Sequence, residues 1–316
     1  LRSRGPAQIG FAIGISGLGV LCLLYGDFAV QWQSVPPWFP WPQALAYASG
    51  AVLLGGGIGL LFKRTEAHCA LALTAYQLIW VLVRGASVVP HVASIGRWDG
   101  FCEALALMIG SWILWASLVR AGVPPHIKLL DDGRAMRVAR ILFGASAVVF
   151  GLSHFAYADF TARMIPRCFP ARLWLAYLTG ACHLAAGLGI LTSIFARLAA
   201  TLEALMLGSF VLLVHVPSTR MAPPPEWAPS AQGQWTELFL AWVLAASAGI
   251  VATSLGDGPW GTSARRGIAR AGRTSAKEPF HVNKPSTQQR RSHGPFVDHT
   301  SGGAQAALAV RAASTS

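Results

Sequence analysis

Charge is what this chain has least of. Of its 316 residues only 12% are Asp, Glu, Lys or Arg, and just 13 are acidic, whereas soluble domains carry about 25% charged residues. So few charges cannot clothe a water-facing surface of this size, which argues against a soluble globular enzyme. Cysteine is scarce too. Cys22, Cys69, Cys102, Cys168 and Cys182 form no C-x-x-C pair and no metal-like spacing, so a disulfide scaffold, a zinc site and a thiol relay are all disfavoured. All but Cys168 sit inside apolar runs, where a thiol is a small hydrophobe. No phosphate-binding loop, nucleophile motif or haem-attachment pair occurs. The Gly55-Gly56-Gly57 triplet lies in the middle of an apolar run and is not a phosphate cradle. Bis-histidine haem ligation is not expected either, because only His183 falls at mid-depth in a run.

What the chain has instead is apolar length: 53% of residues are hydrophobic and the mean hydropathy is +0.48. A helix needs about 20 mainly apolar residues to cross a bilayer. Eight stretches qualify, at about 9–28, 43–62, 67–89, 100–119, 138–157, 172–194, 197–217 and 235–255. None alternates like a barrel strand, and lipid leaves backbone groups no other partner, so the expected fold class is an all-α membrane protein with eight transmembrane helices. The run from Ile9 maps onto the internal run Ile141–Tyr157 and is therefore expected to be a retained helix, not a cleaved leader.

The net charge of +12 does not signal nucleic acid, since nine of the 25 Lys and Arg lie beyond residue 256 and the others flank apolar runs. Ten basic residues (Arg2, Arg4, Lys63, Arg64, Arg120, Lys128, Arg134, Arg137, Arg140, Arg197) fall on one side of the predicted topology and six on the other. The richer side is expected to be cytoplasmic, which with eight spans places both termini there, in an inner (cytoplasmic) membrane. Residues 257–316 turn polar and basic, and are expected to be a disordered tail with a short helix near Ala304–Ala313.

The second positive feature is repetition. Tyr25-Gly26-Asp27-Phe28 is answered by Tyr157-Ala158-Asp159-Phe160, and the proline-rich stretch after it by Ile165-Pro166-Arg167-Cys168-Phe169-Pro170. Ala46-Tyr47, Gly50-Ala51, Gly57 and Gly59 are answered by Ala176-Tyr177, Gly180-Ala181, Gly187 and Gly189. The offset is 132 at the aspartates and 130 in the helices. Two four-helix units are expected, 1–120 and 138–256, joined by a basic cytoplasmic linker at 121–137 and followed by the tail at 257–316. Four spans per unit make the repeats parallel, which favours two bundles side by side over a rocking transporter built on inverted repeats. The patterns Gly55-x-x-x-Gly59 and Ala185-x-x-x-Gly189 are expected to pack helices closely within each bundle.

These residues in this order resemble the DoxX-like family of small four-helix membrane proteins. The likeness is carried by Arg140 opening a helix that ends in His154-Phe155, then Ile165-Pro166, Phe169-Pro170 and Tyr177-x-x-Gly180. It continues through Gly187-Leu188-Gly189-Ile190-Leu191, Arg197, Val214-His215-Val216-Pro217 and Trp235-Thr236-Glu237-Leu238. It covers nearly all of 138–255 and, more loosely, 9–119, so the chain looks like a tandem fusion of two such units. The family often carries an acid three residues after the glycine of its second helix. Here that place holds His183 in the second copy and Leu53 in the first. Some relatives are associated with quinone-linked sulfur oxidation or oxidative-stress complexes, which implies a quinone as the one candidate cofactor and membrane oxidoreductase subunits as candidate partners, beside the lipid bilayer itself.

Ionisable groups at membrane depth cost at least about 2.5–3.5 kcal/mol each on insertion scales, so they need partners. His183 in the sixth run and Glu203 in the seventh fall at similar depth on antiparallel neighbours and are expected to meet, with Leu53 and a small residue near Ala70 or Ala72 in their places in the first copy. A second cluster, His154, Asp159, His215 and Glu237, gathers near the opposite end, with Asp27, Arg84, His91, Asp99 and Glu103 as looser counterparts. His154, His183, Glu203 and His215 are thus the candidate ligand-binding or proton-exchange residues, with Asp159 and Glu237 as a secondary polar cluster. Two histidines and two carboxylates would suit a divalent metal, but no H-x-x-x-H or H-x-x-E spacing sets them on one face, so neither a metal nor a catalytic residue is assigned. Gln77, Glu66 and His68 read as helix-end polarity and one interhelical hydrogen bond. The expected function is a non-enzymatic membrane component. The alternatives are a quinone-interacting subunit of an oxidoreductase complex and a transporter of a small hydrophobic compound.

Overall fold

Long apolar runs satisfy their backbone in lipid by coiling, and the apolar runs of this chain do so. The computed structural model describes residues 5–35, 38–119 and 133–255. The eight long helices are α1 (Pro6–Tyr25), α2 (Pro42–Gly59), α3 (Glu66–Val88), α4 (Ile95–Val119), α5 (Gly133–Ala156), α6 (Arg172–Thr192), α7 (Ala196–Phe210) and α8 (Ala231–Ser254), with no strand among the described residues. Helices α1 and α2 open on Pro6 and Pro42 in the first turn, where a missing N–H costs nothing. Helix α7 runs on through a π-helical stretch, Val211–His215, to a last turn at Val216–Ser218, a local widening that recurs at functional sites. The Asp159 segment, expected to be a plain connection, forms a short helix, Ala158–Met164. Of the predicted linker, Gly133 onward already belongs to α5, while its earlier part and the predicted tail lie outside the described residues.

Seven of these helices, counting α7 to Ser218, are long and apolar enough to cross a membrane. The exception is α2. Its 18 residues begin Pro-Gln and include five glycines, which add length without hydropathy.

Helices adjacent in sequence pack on one another all along the chain, α8 closes back onto α1, and α4 packs on α8. The first helix of each quartet therefore packs on the last helix of the other quartet, α1 on α8 and α5 on α4, as well as on the next helix of its own. Helices α4 and α8 form the centre. In their most apolar windows 78% and 67% of residues are buried, against 28% for α3 and 33% for α6 and α7. The Trp242 indole donates to the Gly10 carbonyl at 2.9 Å, and the Arg140 guanidinium donates to both the hydroxyl and the carbonyl of Ser254, tying α8 to α1 and α5.

The close helix approaches use one glycine of each expected pattern and others beside it: a Cβ on Gly59 would lie 2.2 Å from Cys69 Sγ, and one on Gly189 would lie 2.9 Å from Ala199 Cβ. A Cβ on Gly57 would lie 2.3 Å from Ser16 Oγ and 2.8 Å from the Ala12 carbonyl, while one on Gly187 would lie 2.7 Å from the Gly144 carbonyl. By contrast Gly55 has nothing within 4 Å, and both it and Ala185 are exposed. A glycine seam runs α1–α2 and α5–α6, two residues round the helix from Gly55 and Ala185, while Gly59 and Gly189 face α3 and α7, so only the second member of each pattern marks a packed face.

Candidate functional site

Two interiors result, and they are filled differently. In the first quartet the chain after α1 turns inward and buries Phe28, Trp32 and Gln33. Gln33 Nε2 donates to the Tyr76 hydroxyl (2.6 Å) and to Ser49 Oγ (3.1 Å), and its Oε1 accepts from the Ala29 amide (3.1 Å) and the Cys22 thiol (3.6 Å). Phe28 and Trp32 pack against Trp80 at ring distances of 5.4 and 6.3 Å. Gln77, fully buried at mid-helix, makes an interhelical hydrogen bond, accepting from Ser111 Oγ of α4 at 2.7 Å. At the other end of the quartet Gln8 Nε2 donates to Glu66 at 3.3 Å.

In the second quartet the corresponding space is a cavity of about 410 Å³. Its floor lies where α6 carries His183, about 16 Å from the start of that helix at 1.5 Å per residue. His183 and Glu203 are each 1% exposed, and Nδ1 of the imidazole stands 2.7 Å from Glu203 Oε1. With the carboxylate accepting, Nδ1 carries the proton and Nε2 is left for the cavity. His154 is oriented in a similar way. Its Nδ1–H donates to the Phe150 carbonyl at 2.9 Å, and its ring lies 4.8 Å from that of His183. Phe150 and Phe210 each present an edge-to-face ring 6.0 Å from His183. Leu207, Val214, Leu240, Ala241 and Leu244 complete apolar walls.

Toward the helix ends the lining turns polar. His215, delivered by the π-helical stretch of α7, is 6% exposed and packs edge-on against Trp227 at 5.6 Å. Its Nδ1, like Glu203 Oε2 and Arg84 Nε, has no hydrogen-bond partner among the described residues. Asp99 and Glu103 of α4 and Glu237 of α8 line the same space. They lie close enough to act on one another electrostatically, and Asp99 and Glu103 feel Arg84.

The structure therefore brings His154, His183, His215 and Glu237 to one cavity, with Glu203 directly behind His183. His154 belongs with the deep pair more than with the end cluster where its sequence position put it. Asp159 does not join. It stands on the short helix beside a separate shallow groove with Arg163 and Arg172, because that helix turns it outward. Sequence reasoning placed Asp99, Glu103 and Arg84 with the first quartet, yet they line the second quartet's cavity because α4 packs on α5 and α8. Their signal was present in the spacing: Asp99 and Glu103 lie four apart, on one face of a membrane-length helix. No group of three or more His, Cys, Asp or Glu among the described residues is arranged to hold a metal ion.

A comparison of the chain with protein families, curated proteins and solved structures finds no match. What is established is the class: a helical, apolar, multi-pass membrane protein, here with a cavity lined by residues of both halves.

Proposed function

We propose that this is a tandem DoxX-like membrane component with eight spans, whose second unit binds a small amphiphile and exchanges protons with it through His183 and Glu203. The duplication is supported by burial. Phe11, Gly19, Ala46, Gly50, Leu53, Gly57, Leu60 and Ala70 are buried, and so are the residues 132 or 130 further on, Phe143, Gly151, Ala176, Gly180, His183, Gly187, Ile190 and Ala200. An eighth span is supported by α2 lying between α1 and α3, packed along its glycine seam. Both termini and the loop after α4 then face the cytoplasm, on the side richer in basic residues.

The observation that carries the binding role is the cavity itself. At about 410 Å³ it falls in the size range of small-molecule sites, about 300–1,000 Å³. Two oriented imidazoles, one backed by a buried carboxylate, stand among apolar walls, and such a dyad takes up and releases protons at a fixed point. The ring edges of Phe150 and Phe210 favour a flat headgroup, and a quinone is the first neutral candidate, with oxidoreductase subunits as partners. The test is equilibrium binding of a radiolabelled short-chain quinone to protein in nanodiscs. Saturable binding, weakened at least about tenfold by His183→Leu, supports the role. Binding no greater than that of empty nanodiscs removes the neutral-ring reading.

A further inference from the structure

At the polar end of the cavity acidic side chains outnumber basic ones among the described residues. Asp99, Glu103 and Glu237 line it against a single guanidinium, Arg84, in surroundings where an uncompensated carboxylate is expensive. Arg84 is itself partly engaged elsewhere, donating through Nη2 to the Gln31 carbonyl. An independent observation comes from the opposite wall. His215 is 94% buried, lines the cavity and has Nδ1 without a partner among the described residues, so its imidazole keeps hydrogen-bonding capacity for a ligand. The Trp227 and Tyr157 rings edge the same end, and aromatic faces attract organic cations. The floor, in contrast, is Phe150, Phe210 and Leu244. A bare metal ion does not suit this lining, since no three ligands converge among the described residues.

We infer that the cavity is built for an amphiphilic organic cation, with a protonated amine held between Glu103, Glu237 and His215 and an apolar, ring-sized body resting toward His183. This rests on the reading that the cavity binds an amphiphile, and narrows it to one charge class. The acids come from the last helix of each quartet, α4 and α8, so neither quartet alone supplies the site.

The test uses the full chain in nanodiscs and three radiolabelled probes: 4-phenylbutylamine, its neutral analogue 4-phenylbutanol, and a short-chain quinone. The inference expects the amine to bind at least about tenfold more tightly than the alcohol. It also expects Glu103→Gln combined with Glu237→Gln to bring that ratio close to one. Asp99→Asn, a single change at the same end, should lower the ratio part of the way and serves if the double variant does not fold. Equal affinity of amine and alcohol in the unaltered protein overturns the cation inference while leaving the amphiphile reading in place, as does tight quinone binding without amine binding. If none of the three probes binds above empty nanodiscs, the amphiphile reading falls and the inference with it.

Discussion

The two quartets share a frame and differ in what fills it, and the difference starts with one short segment. After α1, Phe28, Trp32 and Gln33 fold into the first quartet at 5%, 0% and 1% exposure. The residues 132 further on are Phe160, Met164 and Ile165. There the chain forms the helix Ala158–Met164, and Phe160 stays 44% exposed at the cavity rim. One quartet is plugged and the other is open. The helix walls follow suit: Cys22, Leu53 and Leu73 of the first interior stand where the second has His154, His183 and Glu203. The residue opposite Glu203 is thus a buried leucine, larger than the small residue expected there, and Leu53 and Leu73 are each 0% exposed. On the proposed duplication, the first quartet keeps the structure closed while the second carries ionisable groups at depth.

The sharpest way to break this comparison is to truncate the matching phenylalanine in each quartet. Phe28→Ala should cost about 3–5 kcal/mol, as expected for an aromatic removed from a packed interior, whereas Phe160→Ala should stay within about 0.5 kcal/mol. Thermal unfolding in one detergent reads both, and equal losses would mean that neither segment is a plug. Next in size is the glycine seam. Gly57→Val and Gly187→Val should each destabilise by about 1–3 kcal/mol or more, since backbone carbonyls at 2.8 and 2.7 Å, and not only side-chain tips, meet the new Cβ. Gly55→Val should change little, and a large loss there would move the seam to the exposed face.

A smaller effect belongs to the polar pair. A double-mutant cycle on His183→Leu and Glu203→Leu should show a coupling of about 1 kcal/mol, the usual worth of an interhelical polar contact in a membrane. A coupling near zero would mean that the two side chains do not act as a pair. The smallest effect concerns the first quartet. Tyr76→Phe removes the hydroxyl shared by Gln33 and Ser49 and should cost about 1 kcal/mol or less, because Gln33 and Ser49 still bond each other at 3.1 Å.

The membrane class, the helix positions and the meeting of His183 with Glu203 were legible in the sequence. Each depends on run length and depth, which the 1.5 Å rise converts directly into position. The central role of α4 and α8 was not. Their apolar residues run all round the helix, so no polar face tells which neighbour they choose, and the run of buried residues from Ala104 to Ser111 has no periodicity to read. That choice decides which quartet receives Asp99 and Glu103, and so the cavity's acids could not be assigned before α4 was seen against α5. Gly55 misled for a related reason. Three consecutive glycines offer several small-residue spacings, and only the packed partner shows that Gly57 faces α1. The plug was hidden as well, because Phe28 and Phe160 sit in nearly identical strings.

The central claim is that the second interior is open to small molecules and the first is closed. It is tested most directly by thiol accessibility at two matched, nearly isosteric positions. In a background with the five native cysteines replaced by serine, Thr179→Cys lies in the cavity wall and Ser49→Cys, 130 residues earlier, lies inside the Gln33–Tyr76 network. The account predicts that a small cationic methanethiosulfonate modifies the cysteine at 179 at least about a hundredfold faster than the one at 49. Equal rates, or faster modification at 49, would contradict it.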